Sequence, residues 1–282
     1  HEPFLVLSDY LTRNGIVVLR YDDRGVGESK GDFNASTSMD FASDASAAVN
    51  YLVSRTDIPI RNIGIAGHSE GGLIAPITAS ENNEVDFIVL MAGPGIPGDS
   101  ILLLQGDLIA KASGMSEESV KALHELRKNI MQVAKDEIDN DVMRNNMITL
   151  NKNFIANTPK HILDELEMTE DDVEEGLDIY TGEWMQFFLA YNPRPTLEHT
   201  TIPVLAINGT TDLQVPYKEN LEAIEKALIK AGNKNYQITA LNNLNHLFQY
   251  SVTGSPMEYG TIEETFNEKS MNIISNWISA QK

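Results

Sequence analysis

Ile63-Gly64-Ile65-Ala66-Gly67-His68-Ser69-Glu70-Gly71-Gly72 (63–72) decides how the chain is read. A short apolar run of strand type enters the stretch, and a predicted helix, Leu73 to Ser80, leaves it. Between them sits a serine in Gly-x-Ser-x-Gly context. That is the order of a nucleophile elbow, a strand-to-helix turn so sharp that its serine stands clear of its own backbone. On this reading the flanking Gly67 and Gly71 must both be small. The same string also arises by chance as a plain glycine-rich turn, so the reading depends on partners elsewhere in the chain.

Composition narrows the possibilities. A chain of 282 residues, 42% hydrophobic and 22% charged, has room for one large α/β domain, or for one such domain with an insertion. No apolar run approaches the ~18 residues of a membrane helix, and no basic-then-apolar leader opens the sequence, so no integral membrane segment is expected. The formal net charge of −20 argues against a nucleic-acid partner, because nothing is available to neutralise phosphates. It also disfavours an anionic membrane surface. Solvation accounts for the charge more simply, as in the acidic stretch 165–175. With no cysteine there is no disulfide, no thiolate metal site and no cysteine nucleophile, and compartment is left open.

Around the central stretch, strand-like and helix-like segments alternate. Phe4 to Thr12 has helical spacing and stops before Asn14-Gly15. Ile16 to Leu19 reads as a buried, parallel strand, Asp40 to Leu52 as a helix, and Val85 to Ala92 as another buried strand. From Pro97 the pattern changes: for roughly a hundred residues there are helical periods only. Ser116 is placed to cap one helix, Thr158-Pro159 to start another, and Thr169 to Asp172 to form a capping box. The aromatic-rich segment Trp184 to Tyr191 closes this block. Strands return at Val204 to Ile207 and Tyr236 to Leu241, with a helix between them ending at Gly232 and a last helix over Thr261 to Ala280. The predicted organisation is a core of residues 1–96 and 198–282 interrupted by a helical insertion at 97–197.

Alternating strand and helix implies a mostly parallel sheet with helices on both faces, whose functional groups gather at the carboxyl ends of the strands. Three groups lie there: Ser69 after one strand, Asp212 after a later one and His246 after the last. Asp212 taken alone reads as a turn residue or a cap for the helix near Tyr217, and a lone His after a strand reads as structural. Their joint occurrence at three strand ends makes a triad the better reading. His246 would take the serine proton and later protonate the leaving group, while Asp212 holds the imidazole in its tautomer. The amide of Glu70, at a helix N-terminus, would be one oxyanion donor; its carboxylate reads as a helix-start charge. His1, His68, His124, His161 and His199 have weaker claims by position.

The stretches Arg-Tyr-Asp-Asp-Arg-Gly-Val-Gly-Glu-Ser (20–29), Gly-His-Ser-Glu-Gly-Gly (67–72), Asn-Gly-Thr-Thr-Asp-Leu-Gln-Val-Pro (208–216) and Leu-Asn-His-Leu-Phe-Gln (244–249) resemble the bacterial serine carboxylesterases of the α/β-hydrolase superfamily. The likeness implies the α/β-hydrolase fold with a helical cap at 97–197, and carries the triad onto Ser69, Asp212 and His246. It makes the loop of Asp23 and Arg24 structural. It also implies a second oxyanion donor and a further strand from residues preceding His1, the strand lying between Ile16–Leu19 and Ile63–Ala66. The expectation is therefore that the natural protein extends upstream.

The expected activity is hydrolysis of small-molecule carboxylic esters through an acyl-enzyme, with no cofactor and no metal. Met185, Phe187, Phe188 and Leu189 are candidates for an acyl pocket or for packing of cap on core. A peptidase or amidase, or a thioesterase, on the same fold is the alternative within enzymes, and a non-catalytic scaffold the alternative outside them. Substrate, oligomeric state and localisation, cytoplasmic or exported, do not follow from the sequence.

Overall fold

A computed structural model describes residues 2–281; His1, set aside above, lies outside the described residues. Four strands form one parallel sheet: β1 (Gly64–His68), β2 (Phe87–Met91), β3 (Val204–Gly209) and β4 (Tyr236–Leu241), side by side in that order. The inner strands β2 and β3 are buried along their whole length, as a parallel sheet covered on both faces requires.

Because side chains alternate along a strand, these two strands feed two separate cores. Val89, Met91, Leu205 and Ile207 meet α1 (Pro3–Arg13) through Leu7 and Leu11, and the last helix of the chain through Met271, Ile274 and Trp277. Ile88, Leu90, Val204 and Ala206 meet α2 (Ser38–Ser54) and α3 (Gly71–Glu81) through Val49 and Ala75. Between β2 and β3 the described residues contain helices and no strand: α4 (Gly98–Ala112), α5 (Glu117–Asp136), α6 (Asn140–Asn157), α7 (Lys160–Glu165), α8 (Glu183–Ala190) and α9 (Arg194–Leu197). The second half of the sheet carries α10 (Tyr217–Lys230), whose Ile224 and Leu228 complete the second core, and α11 (Glu268–Ala280).

The helical block has a core of its own, built from Leu126, Ile130, Met143, Met147, Met185 and Leu189. Ser116 caps α5 by accepting from the Ser119 amide, and Thr169 forms its capping box on a short 3₁₀ turn. Phe188 leaves this core and seats on Ala42, Leu73 and Ile77 of α2 and α3. Of the four side chains considered for an acyl pocket, Met185, Phe188 and Leu189 are therefore packing residues, and Phe187 stacks on Tyr191 at 5.2 Å. Arg24 clamps α2 by donating to Asp44 through Nε and Nη2 and to Asp40 through Nη1.

Two expectations are corrected. Ile16–Leu19 forms no strand, and Val17 and Leu19 are 61% and 37% exposed. A groove of about 940 Å³ separates this segment from Ile63, Gly64 and Ala66. Among the described residues it has no strand neighbour to complete its backbone hydrogen bonds, and the apolar run is not a strand. The last helix starts at Glu268 rather than Thr261, because the Asn267 side chain accepts from the Lys269 amide and caps it there.

No helix among the described residues is long and apolar enough to cross a membrane. The packing separates two positions that both read as strand. Ile88→Ala, at a fully buried site, is expected to cost ~2–5 kcal/mol in denaturant unfolding. Val17→Ala is expected to stay within about 0.5 kcal/mol; a loss as large as that of Ile88→Ala would mean that residues 16–19 are buried after all.

Candidate active site

The turn at Ser69 is built by contact between backbones. Ser69 follows β1 with φ 54°, a left-handed conformation rare for a residue bearing a Cβ, and its amide donates to the Met91 carbonyl at 2.9 Å. Glycine is needed where main chains touch: a Cβ at Gly67 would stand 1.9 Å from the Gly71 carbonyl oxygen, and one at Gly72 would stand 2.5 Å from Gly93 Cα. Gly71 has open space around it. The two small positions are thus Gly67 and Gly72, not Gly67 and Gly71. The motif's spacing gave no sign of this, because the approach of Gly93 is a tertiary contact.

Asp212 follows β3 and His246 follows β4, and the structure brings the two together. Asp212 is buried, and its Oδ1 accepts from the amides of Gln214 and Val215 at 2.8 and 2.9 Å. Its Oδ2 lies 2.8 Å from Nδ1 of the buried His246. Both carboxylate oxygens are used, so the imidazole meets a fixed acceptor and its Nε2 is left as the free nitrogen. Asp212 does not cap α10, whose N-cap is Pro216.

The histidine loop has its own scaffold. Asn245, fully buried, accepts the amides of Leu247 and Gln249 and donates to the Gln249 side chain. Gly209 lets this loop approach β3, since a Cβ there would meet the Leu244 carbonyl oxygen at 2.0 Å.

Both neighbours of Ser69 are anchored. His68 donates from Nε2 to the His246 carbonyl oxygen at 2.7 Å, with the two rings 4.7 Å apart. Although His68 as a residue is only half-buried, its ring lies among those of Phe4, His246 and Phe248. Desolvation, followed by the nearby His246, pushes its pKa down to about 3; the neutral ring is then a donor at Nε2. The Glu70 amide donates to no acceptor among the described residues, while its carboxylate accepts from Ser38 and Trp184. Ser69 Oγ makes no hydrogen bond among the described residues. The remaining histidines lie apart: His124 pairs with Asp107 and His161 with Glu118 inside the helical block, and His199 bonds the Pro195 carbonyl oxygen.

A parallel sheet with helices on both faces, a serine in a left-handed strand-to-helix turn, and an aspartate–histidine pair at the ends of two later strands define an α/β-hydrolase. The chain belongs to the family whose model is described as "Serine aminopeptidase, S33", which matches residues 4–176. It is 26% identical over 253 residues to Esterase EstD of Thermotoga maritima, a match covering 88% of this chain and 50% of that protein. The chain thus spans about half the length of this curated relative. Among solved structures it is similar to Est1E of Butyrivibrio proteoclasticus with bound ferulic acid (TM-score 0.56, 16% identity, covering 100% of this chain and 83% of that one). A second is the esterase PF2001 of Pyrococcus furiosus (TM-score 0.54, 15% identity, 99% and 74%). At these identities the structural likeness carries the fold alone.

The glycine contacts predict that Gly67→Ala and Gly72→Ala each lower the unfolding midpoint by several degrees, whereas Gly71→Ala does not; equal losses at all three would contradict the geometry. His68 predicts a pH effect. In the unfolded chain it titrates near 6.5 and in the folded chain near 3. Below pH 6.5 the unfolded state therefore takes up a proton that the folded state refuses, so this contribution is complete above 6.5 and lost as pH falls toward 3. His68→Gln, which keeps a donor, should show a stability–pH slope shallower by about one proton between pH 6 and 4.

Proposed function

We propose that the chain is a serine hydrolase that cleaves carboxylic esters through an acyl-enzyme on Ser69, with His246 as general base and Asp212 as its orienter. The observation that carries this reading is the buried Asp212–His246 pair. One carboxylate oxygen is fixed by two backbone amides, and the other holds Nδ1 of the imidazole at 2.8 Å. That arrangement fixes the tautomer in which Nε2 can accept a proton.

In the first half-reaction Ser69 Oγ attacks the ester carbonyl carbon while its proton passes to His246 Nε2. The oxyanion of the tetrahedral intermediate accepts a hydrogen bond from the Glu70 amide at the start of α3. Collapse breaks the bond to the alcohol, which leaves with the proton from His246. Water then repeats the sequence on the acyl-Ser69, giving the carboxylic acid and the free serine. Residues 97–197 act as a cap over this site, its aromatic helix α8 riding on α2 and α3. The name of the Thermotoga relative supports an ester as the substrate.

The description of the family supports a second reading, hydrolysis of peptide bonds at a free amino terminus. Amide and ester hydrolysis share every step above, so the triad does not separate them, and a thioester would follow the same course.

p-Nitrophenyl esters of graded acyl length, tested beside aminoacyl-arylamides, are expected to show turnover of esters. Turnover of amides alone would favour the peptidase. Asp212→Asn is expected to lower kcat on the ester by about 10³–10⁴-fold with an unchanged circular-dichroism spectrum, because the imidazole loses its tautomer. An Asp212→Asn enzyme as fast as wild type would remove Asp212 from the mechanism.

A further inference from the structure

The side chain that follows the nucleophile joins three parts of the molecule. Glu70 Oε1 accepts two hydrogen bonds: from Ser38 Oγ at 2.6 Å and from Trp184 Nε1 at 2.7 Å. Ser38 is fully buried at the first turn of α2, and Trp184 lies in the first turn of α8, inside the helical block. Trp184 stacks on Phe188 with ring centroids 5.2 Å apart and planes 12° apart, and Phe188 packs on Ala42, Leu73 and Ile77. The indole and the ring beneath it therefore press on the same two helices that hold the Ser69 turn. Position 70 is joined to Ser69 by a single peptide bond, and its own amide is the candidate oxyanion donor.

We propose that Glu70 is a positioning residue: its carboxylate latches the helical block, through Trp184, to the turn that carries Ser69, and so fixes the plane of the Glu70 amide. This rests on Ser69 as nucleophile. A hydrogen bond to an ionised acceptor is among the stronger ones, and two on one oxygen leave the side chain little freedom to rotate. The indole has a single N–H and no acceptor, so Trp184 can make this contact in one orientation only. Movement of the block away from the core must break that bond, and movement of the Glu70 backbone must break both. Seating of the block and aim of the oxyanion donor are thereby one coupled event. A carboxylate serving only as a favourable charge at the start of α3 would need neither partner.

The test separates acceptor from charge and latch from bulk. Trp184→Phe keeps the stack on Phe188 and removes the donor; Glu70→Gln keeps Oε1 as acceptor and removes the charge; Glu70→Ala removes both. On a p-nitrophenyl ester, Trp184→Phe and Glu70→Ala are each expected to lower kcat about tenfold, with KM changing less. The double variant should be no slower than Glu70→Ala, since both changes break one link. Glu70→Gln should recover at least a third of wild-type kcat. Losses that multiply in the double variant, or Glu70→Gln as slow as Glu70→Ala, would overturn the latch.

Two further readouts keep failure of the latch distinct from failure of the ester reading. The rate of labelling of Ser69 by a fluorophosphonate follows the oxyanion site without any ester, and should fall with kcat in the same order of variants. Hydrogen exchange of the Trp184 indole N–H needs no chemistry at Ser69. It should be protected in wild type and at least tenfold faster in Glu70→Ala; equal exchange in the two proteins would contradict the proposal whatever the enzyme hydrolyses.

Discussion

The left-handed backbone at Ser69 is the constraint on which the candidate site depends. Ser69 can hold φ 54° only because the backbone around it is pinned: its amide to Met91, Gly67 against the Gly71 carbonyl, and Gly72 against Gly93. Such a conformation costs on the order of 1–3 kcal/mol and persists where the surroundings over-determine it. Here the surroundings are the buried strand β2 on one side and the packed helix α3 on the other. The strain is borne by the sheet's core, and the serine oxygen has no hydrogen-bond partner among the described residues.

The same logic extends outward from that residue. His68 on one side reaches the His246 carbonyl and Glu70 on the other reaches Ser38 and Trp184, so the turn is connected both to the histidine loop and to the helical block. Asp212 gives both its oxygens to fixed donors, and Asn245 organises the loop from within. Few side chains in this region are free to choose another conformation. Preorganisation of this kind is what electrostatic stabilisation of a transition state requires.

Much of this was legible in the residues. β2 and β3 announce themselves as apolar runs bounded by turn signals, and the helical block by the loss of such runs between residues 97 and 197. Asp212 and His246 stand out because both follow strands. What was not legible depends on contacts distant in sequence. Ile16–Leu19 has the composition of a strand, yet composition says nothing about whether a neighbour exists to pair with it. Gly71 and Gly72 look alike in the motif, and only the approach of Gly93 tells them apart. His68 carried no signal beyond its place beside the serine, since the acceptor it meets is 178 residues away. Glu70 reads locally as a helix-start charge; its partners come from two other helices.

The account stands or falls on the covalent step at Ser69. The most direct measurement is rapid-quench mass spectrometry of the protein mixed with a p-nitrophenyl ester, followed by peptide mapping of the acyl adduct. The account predicts a transient mass increase equal to the acyl group, confined to the peptide containing Ser69 and absent from Ser69→Ala. Ester turnover with no adduct at any quench time, or an adduct on another residue that persists in Ser69→Ala, would contradict it.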